Sequence, residues 1–156
     1  MNVIEEGQLA PDVALQLPDE SETKVSAYRG KTLVLYFYPK DDTPGCTKEA
    51  IAFTDLAGDF AKAGVQIVGV SKDPPAKHVK FSAKHDLKIG LATDADGSVT
   101  EAFGVWVEKN MYGRKYMGIQ RATFLIDSKG SVVKVWPKVK VAGHAEAVLE
   151  AAKAIG

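Results

Sequence analysis

Residues Thr32–Tyr38 read TLVLYFY, an uninterrupted apolar run rich in β-branched and aromatic side chains. A strand with one wet face would alternate. This one does not, so it lies buried on both faces, inside a sheet covered by helices. A helix opening follows. Thr43 stands where an N-cap would, Pro44 suits the first turn, and apolar residues recur at Ala50, Phe53, Leu56 and Phe60 until Gly64. Val65–Val70 is a second buried run. Strand, helix and strand with short links form a βαβ unit, which predicts parallel strands joined by a right-handed crossover. That unit confines the chain to the α/β class.

The remaining elements extend the unit. Val13–Leu17 alternates, and LPDESE after it reads as a turn. The stretch Ala76–His85, behind Pro74-Pro75, reads as a helix, and Ser98–Phe103 as a short one. Residues 104–118 are the least regular part. Ala122–Ile126 and Ser131–Trp136 flank the turn Asp127-Ser128-Lys129-Gly130 and predict an antiparallel hairpin, with Trp136 in the strand core. His144–Ile155 is a closing amphipathic helix. The order βαβ, helix, hairpin, helix is the thioredoxin-like arrangement, a central mixed β-sheet flanked by helices. No repeat, low-complexity tract or long linker interrupts it, so residues 1–156 read as a single domain.

Acidic and basic residues balance at 20 each, so no net field draws the chain to nucleic acid or to an acidic membrane. No apolar run approaches the roughly 20 residues that cross a bilayer. The opening MNVIEEGQ is acidic, unlike a signal peptide. A lone cysteine supports no disulfide framework. A cytoplasmic protein without nucleic-acid or membrane partners is expected. The three histidines are scattered, without metal-ligand spacing. Asp94-Ala95-Asp96-Gly97 hints at a calcium loop, but Ala92 stands where its first aspartate would fall, and a plain turn is the better reading. Trp106 reads as a packed aromatic, and residues 138–140 as a solvated loop.

The single thiol is placed in PKDDTPGCTKEA, at the junction of the first buried strand and the helix. A lone cysteine is ordinarily a small buried hydrophobe. In the first helical turn, however, backbone N–H groups without helical partners point at the sulfur, and the macrodipole favours an anion. Both favour the thiolate. Thr43 and Glu49 occupy the positions three residues either side of Cys46, so no C-x-x-C exists and a disulfide reductase is disfavoured. A cysteine hydrolase would need a histidine base, and His78, His85 and His144 carry no recognisable signature. Attack on a peroxide needs no second group for its first step, which yields a sulfenic acid.

Pro39-x-x-x-Thr43-x-x-Cys46 resembles the P-x-x-x-T-x-x-C motif of peroxiredoxins. LYFYPKDDTPGCTKEA resembles the bacterioferritin-comigratory-protein or peroxiredoxin Q branch, as do GQLAPD, GVSKDP, FGVW, EKNMYGRKYMGIQRATFLID and KVKVAGHAEAVL. The resemblance runs nearly the whole chain. It implies a thioredoxin-like fold with a peroxiredoxin-type N-terminal extension. It also implies a peroxidase for hydrogen peroxide and small alkyl hydroperoxides that needs no metal, haem or flavin. Thioredoxin or another external thiol would reduce it, and it would be a monomer. Cys46 would be the nucleophile. Thr43 would aim its hydroxyl at the thiolate and the peroxide, and Pro39 would shield the pocket. Arg121, otherwise readable as surface charge, would hold the thiolate and bind the peroxide oxygens, which suits a permanent cation with a planar donor fork. Glu49 would orient Arg121 or the loop, or else is a solvated first-turn acid.

One departure stands out. The branch usually carries a resolving cysteine, either five residues after the nucleophile, here Ile51, or in a segment resembling F-C-A-K, here Phe81-Ser82-Ala83-Lys84. Ser82 stands where the sulfur would be. Either the protein works with one cysteine, or serine has replaced a cysteine. The rival to a peroxidase is a redox-silent interaction module on the same fold. Titration with stoichiometric peroxide separates the two, since only the peroxidase forms a sulfenic acid.

Overall fold

The computed structural model describes residues 3–155; Met1 and Asn2, where the acidic N-terminus begins, and Gly156 lie outside the described residues. The apolar runs form β3 (Thr32–Phe37) and β4 (Val65–Ser71), paired in parallel from Thr32↔Val65 to Phe37↔Val70. The other strands of this sheet are β1 (Ala14–Gln16), β2 (Glu22–Lys24), β5 (Gly90–Thr93), β8 (Ala122–Ile126) and β9 (Val132–Trp136). The seven strands lie in the order β2-β1-β5-β4-β3-β8-β9. Contacts β3–β4 and β4–β5 are parallel, and the rest are antiparallel.

The pleat of β3 sorts the core in two. Leu33, Leu35 and Phe37 join one cluster with Val68, Val70, Phe103 and Phe124. Val34, Tyr36 and Tyr38 join the other with Phe53, Phe60, Phe81 and Leu149. Period-two alternation of a strand apolar at every position produces this division. Burying each such side chain contributes about 1.5–3 kcal/mol, so this strand dictates the layering. The second face is covered by α1 (Pro44–Asp55), α2 (Ala57–Lys62), α3 (Pro75–His85) and α5 (His144–Ile155). On the first face α4 (Ser98–Ala102) packs, its turn capped by buried Asp94, which accepts the amides of Val99 and Thr100 at 3.1 and 2.9 Å. The Asp94–Gly97 stretch is thus the expected turn.

Several expectations need correction. The helix read from Thr43 to Gly64 is two helices. Leu56 leaves helical geometry at φ −101°, ψ 4°, two residues ahead of Gly58, a poor helix former. Residues 104–118 are regular: β6 (Trp106–Met111) and β7 (Arg114–Ile119) form an antiparallel two-stranded sheet. Its turn is Tyr112-Gly113, with φ +53° and +77°, the left-handed pair that a two-residue hairpin needs. The short strands β2 and β5 carry no pattern of their own. The polar triplet Glu22–Lys24 becomes a strand only by pairing with β1, and Gly90–Thr93 only by lying between β4 and β1. Trp136 is half-buried, with the ring of His144 edge-on at 5.6 Å. Trp106 packs on the core edge under the Lys72 ammonium, 3.9 Å from its ring centre.

Candidate active site

The loop from Tyr38 to Thr43 carries the chain from the end of β3 into α1, and Cys46 lies in the first turn of that helix. Its side chain is 2% exposed and joins the core cluster with Tyr36, Ala50 and Phe53. By exposure alone it is the ordinary buried thiol. Its polar contact makes the difference: Arg121 Nη2 donates to Cys46 Sγ at 3.3 Å. The same guanidinium donates through Nη1 to Glu49 Oε1 at 2.7 Å. One planar fork therefore bridges a sulfur and a carboxylate. Cys46 and Glu49, three apart on α1, both face the residue that precedes β8.

Gly45 makes room for this bridge. A Cβ built there would stand 3.1 Å from Arg121 Nη2, closer than ordinary van der Waals contact. Glu49 is 1% exposed, which overturns its reading as a solvated acid. Burial raises its carboxyl from 4.5 to about 7, while the Arg121 charge and hydrogen bond pull the other way. Its second oxygen, Oε2, and the Tyr36 hydroxyl are buried without a hydrogen-bond partner among the described residues. Tyr36 is held well above its ordinary value, first by burial and then by the charges of Glu49 and Cys46. For Arg121, burial works against the charge, and Glu49 and Cys46 outweigh it, so the group is a firmer cation than a free arginine.

Thr43 departs from expectation in one respect. It occupies the N-cap position with extended geometry, φ −95°, ψ 155°, but its side chain makes no capping bond. Its hydroxyl donates to the Lys40 carbonyl at 2.7 Å. The proton is committed there, which leaves the oxygen lone pairs as acceptors rather than a donor aimed at the sulfur. Pro39 is exposed at the start of the loop, and Ser82 is half-buried on α3. Ser82 lines a groove of about 650 Å³ with His78, Val79 and Leu87.

Sequence reasoning overlooked three further polar side chains, one beside the site and two behind the loop that carries it. Lys109 of β6 lays its aliphatic stem across Gly118, where a Cβ would stand 3.2 Å from Cδ. Its ammonium is lowered by burial and then by Arg121, with Cys46 pulling it up. Asp41 and His78 are both buried and paired at 2.7 Å. Lys109 belongs to a hairpin the sequence did not reveal. Asp41 and His78 are 37 residues apart in sequence and meet only in the fold. Among the described residues no cluster of three metal-ligating side chains occurs.

Comparison with known proteins identifies the family. The AhpC/TSA family matches residues 7–135. The chain is 49% identical to peroxiredoxin Bcp of Bacillus subtilis over 150 residues, 96% of this chain and 96% of that protein. It is 50% identical to peroxiredoxin Bcp of Xanthomonas campestris over 143 residues, 92% of this chain and 89% of that one. A solved structure of the Xanthomonas campestris bacterioferritin comigratory protein, studied for alkyl peroxide reduction, superposes with a TM-score of 0.88 at 48% identity, covering 95% of this chain and 96% of its own. Peroxidoxin BcpB of Mycobacterium tuberculosis superposes at 0.86 with 34% identity, covering 98% and 99%. Across nearly its whole length, then, the expected kinship holds: this chain belongs to the AhpC/TSA family, as a peroxiredoxin of the Bcp or peroxiredoxin Q branch.

Proposed function

We propose that Cys46 is the peroxidatic nucleophile of a one-cysteine thiol peroxidase acting on hydrogen peroxide and small alkyl hydroperoxides. The observation that carries the assignment is the Arg121 fork between Cys46 and Glu49, at 3.3 and 2.7 Å. A guanidinium donor 3.3 Å from the sulfur, at a helix N-terminus, stabilises the thiolate against burial. The thiolate attacks the terminal oxygen of R–O–O–H. The S–O bond forms, the O–O bond breaks, and RO⁻ leaves and takes a proton to become ROH. Negative charge moves from sulfur to the departing oxygen, within reach of the same guanidinium, so the stabilising charge needs no reorganisation.

Thr43 accepts the peroxide O–H through its free lone pairs and orients the terminal oxygen toward sulfur. Glu49 fixes the plane of the guanidinium, and Pro39 forms the rim that limits water. The sulfenic acid is then reduced by an external thiol of the thioredoxin class, because the chain has one cysteine and cannot close an internal disulfide. The chemistry calls for no metal, haem or flavin. Residues 1–156 are read as one domain, working as a cytoplasmic monomer. Among the described residues no helix is long and apolar enough to cross a membrane. The test is Cys46→Ser, which abolishes peroxide consumption with the fold intact. Retained activity in that variant would sink the assignment, and a parent that consumes no peroxide would leave the interaction module as the reading.

A further inference from the structure

The loop that carries the sulfur is bound to α3 at two consecutive residues. Asp41 is the buried one, 6% exposed. Its Oδ2 accepts from His78 Nδ1 at 2.7 Å and its Oδ1 from the Tyr38 hydroxyl at 2.5 Å, while its own amide donates to Asp73 Oδ2 at 2.8 Å. His78 is fully buried, and its Nε2 donates to the Ala92 carbonyl of β5 at 3.0 Å. Both ring nitrogens face oxygen atoms, so the imidazole ties the loop to β5 as well as to α3. Asp42 turns outward at φ +60° and accepts from Lys84 Nζ at 2.7 Å and His85 Nε2 at 2.9 Å. One buried and one exposed acid–base arm thus run from adjacent loop residues to the same helix.

Between buried Tyr38 and Cys46, the loop adds to these arms the Thr43–Lys40 bond within itself. Pro39, Lys40 and Asp42 are exposed, so polar arms rather than apolar burial set the cost of opening it. The closed form suits peroxide attack, because Arg121 meets the sulfur only while α1 is seated. It opposes the second half of the cycle. Cys46 is 2% exposed, and a reducing thiol, bulkier than a small peroxide, needs in-line access to its sulfur.

We infer that Asp41 and His78, with Asp42, Lys84 and His85 as a weaker outer arm, are positioning residues for the reductive half-reaction. They form a clasp that seats the cysteine loop for peroxide attack and must release before the reducing thiol reaches the sulfenic acid. This rests on Cys46 being the peroxidatic sulfur. On release, a thiolate RS⁻ attacks the Cys46 sulfur. The S–S bond forms, the S–O bond breaks, and hydroxide leaves and takes a proton to become water. A second thiol then displaces Cys46 as thiolate and departs as the disulfide RSSR.

Sequential-mixing kinetics on the full chain test this. One equivalent of hydrogen peroxide is added first, and dithiothreitol second. His78→Asn keeps a donor toward Asp41 but loses the bond to Ala92; Asp42→Asn weakens only the outer arm. Oxidation is expected to stay within about twofold of the parent. Reduction is expected to rise roughly two- to fivefold in Asp42→Asn, the scale of one exposed pair, and about tenfold in His78→Asn. Amide hydrogen exchange over residues 40–48 should accelerate by the same factors, with β3 and β4 unchanged. Should His78→Asn fail to fold, the exposed Asp42→Asn decides alone. Unchanged reduction and exchange, or oxidation and reduction falling together, overturns the clasp. A parent that takes up no oxygen in the first mix overturns the assignment of Cys46 instead, and with it this inference.

Discussion

Replacing Arg121 with alanine should separate its catalytic role from its structural one by pH. In the parent, burial raises Glu49 from 4.5 to about 7. The folded value lies above the unfolded one, so the unfolded chain releases its proton first, and stability falls as pH rises from 4.5 to about 7. At 1.36 kcal/mol per pH unit that fall amounts to roughly 3 kcal/mol, and above 7 it stops. Without the guanidinium the carboxyl moves higher still, and the fall continues past 7. Arg121→Ala therefore costs less at pH 6, below the parent's value of about 7, than at pH 9, where the added loss is about 3 kcal/mol. That is the size expected for stranding a buried charge. The lost donor to sulfur should slow peroxide attack by roughly 10²–10³-fold. Arg121→Lys should restore only part of the rate, since an ammonium cannot bridge sulfur and carboxylate with one planar fork. Urea denaturation at pH 6 and pH 9, with stopped-flow measurement of the second-order rate constant, gives both numbers. Equal destabilisation at the two pH values, or a rate loss below tenfold, refutes the reasoning.

Other outcomes follow from neighbouring residues. Gly45→Ala removes a glycine from the first turn, worth up to about 1 kcal/mol of helix stability, yet its methyl presses on Arg121; the variant should denature no more easily than the parent and still react more slowly with peroxide. Burial, assisted by Arg121, lowers His144 from 6.5 to about 4, so it is neutral in the fold and stability is lost as pH falls from 6.5 toward 4. His144→Gln should flatten that acid limb in thermal unfolding scans; an unchanged limb assigns it to other groups. Ser82→Cys, treated with one equivalent of peroxide, should form a disulfide to Cys46 after local opening and gain turnover with thioredoxin. Mass spectrometry reads this as a loss of two hydrogens, against oxygen additions alone if the segment cannot reach.

What could be read in advance followed from local chemistry. TLVLYFY announced a doubly buried strand because no exposed strand can be apolar at every position. The thiol's place in a first turn announced an anion site. The hairpin Trp106–Ile119 was hidden because its strands stand largely in solvent and carry polar side chains such as Glu108, Lys109 and Lys115, so no burial period marks them. Glu49 could not be told from a surface acid, because its burial depends on β8 delivering Arg121 from 72 residues away. The same holds for Asp41 and His78. Pairings that tertiary packing creates leave no local spacing to read. Thr43 shows the converse. Its residue type and position suggested a side-chain cap, and the Lys40 carbonyl won the proton.

The most direct measurement is a titration of the reduced chain with hydrogen peroxide, followed by intact-mass spectrometry, alongside Cys46→Ser. The account predicts rapid consumption of about one equivalent, a gain of one oxygen that a sulfenic-acid trap captures at Cys46, and further oxygen additions under excess peroxide. Slow consumption with no trapped sulfenic acid, or the same uptake in Cys46→Ser, would contradict it.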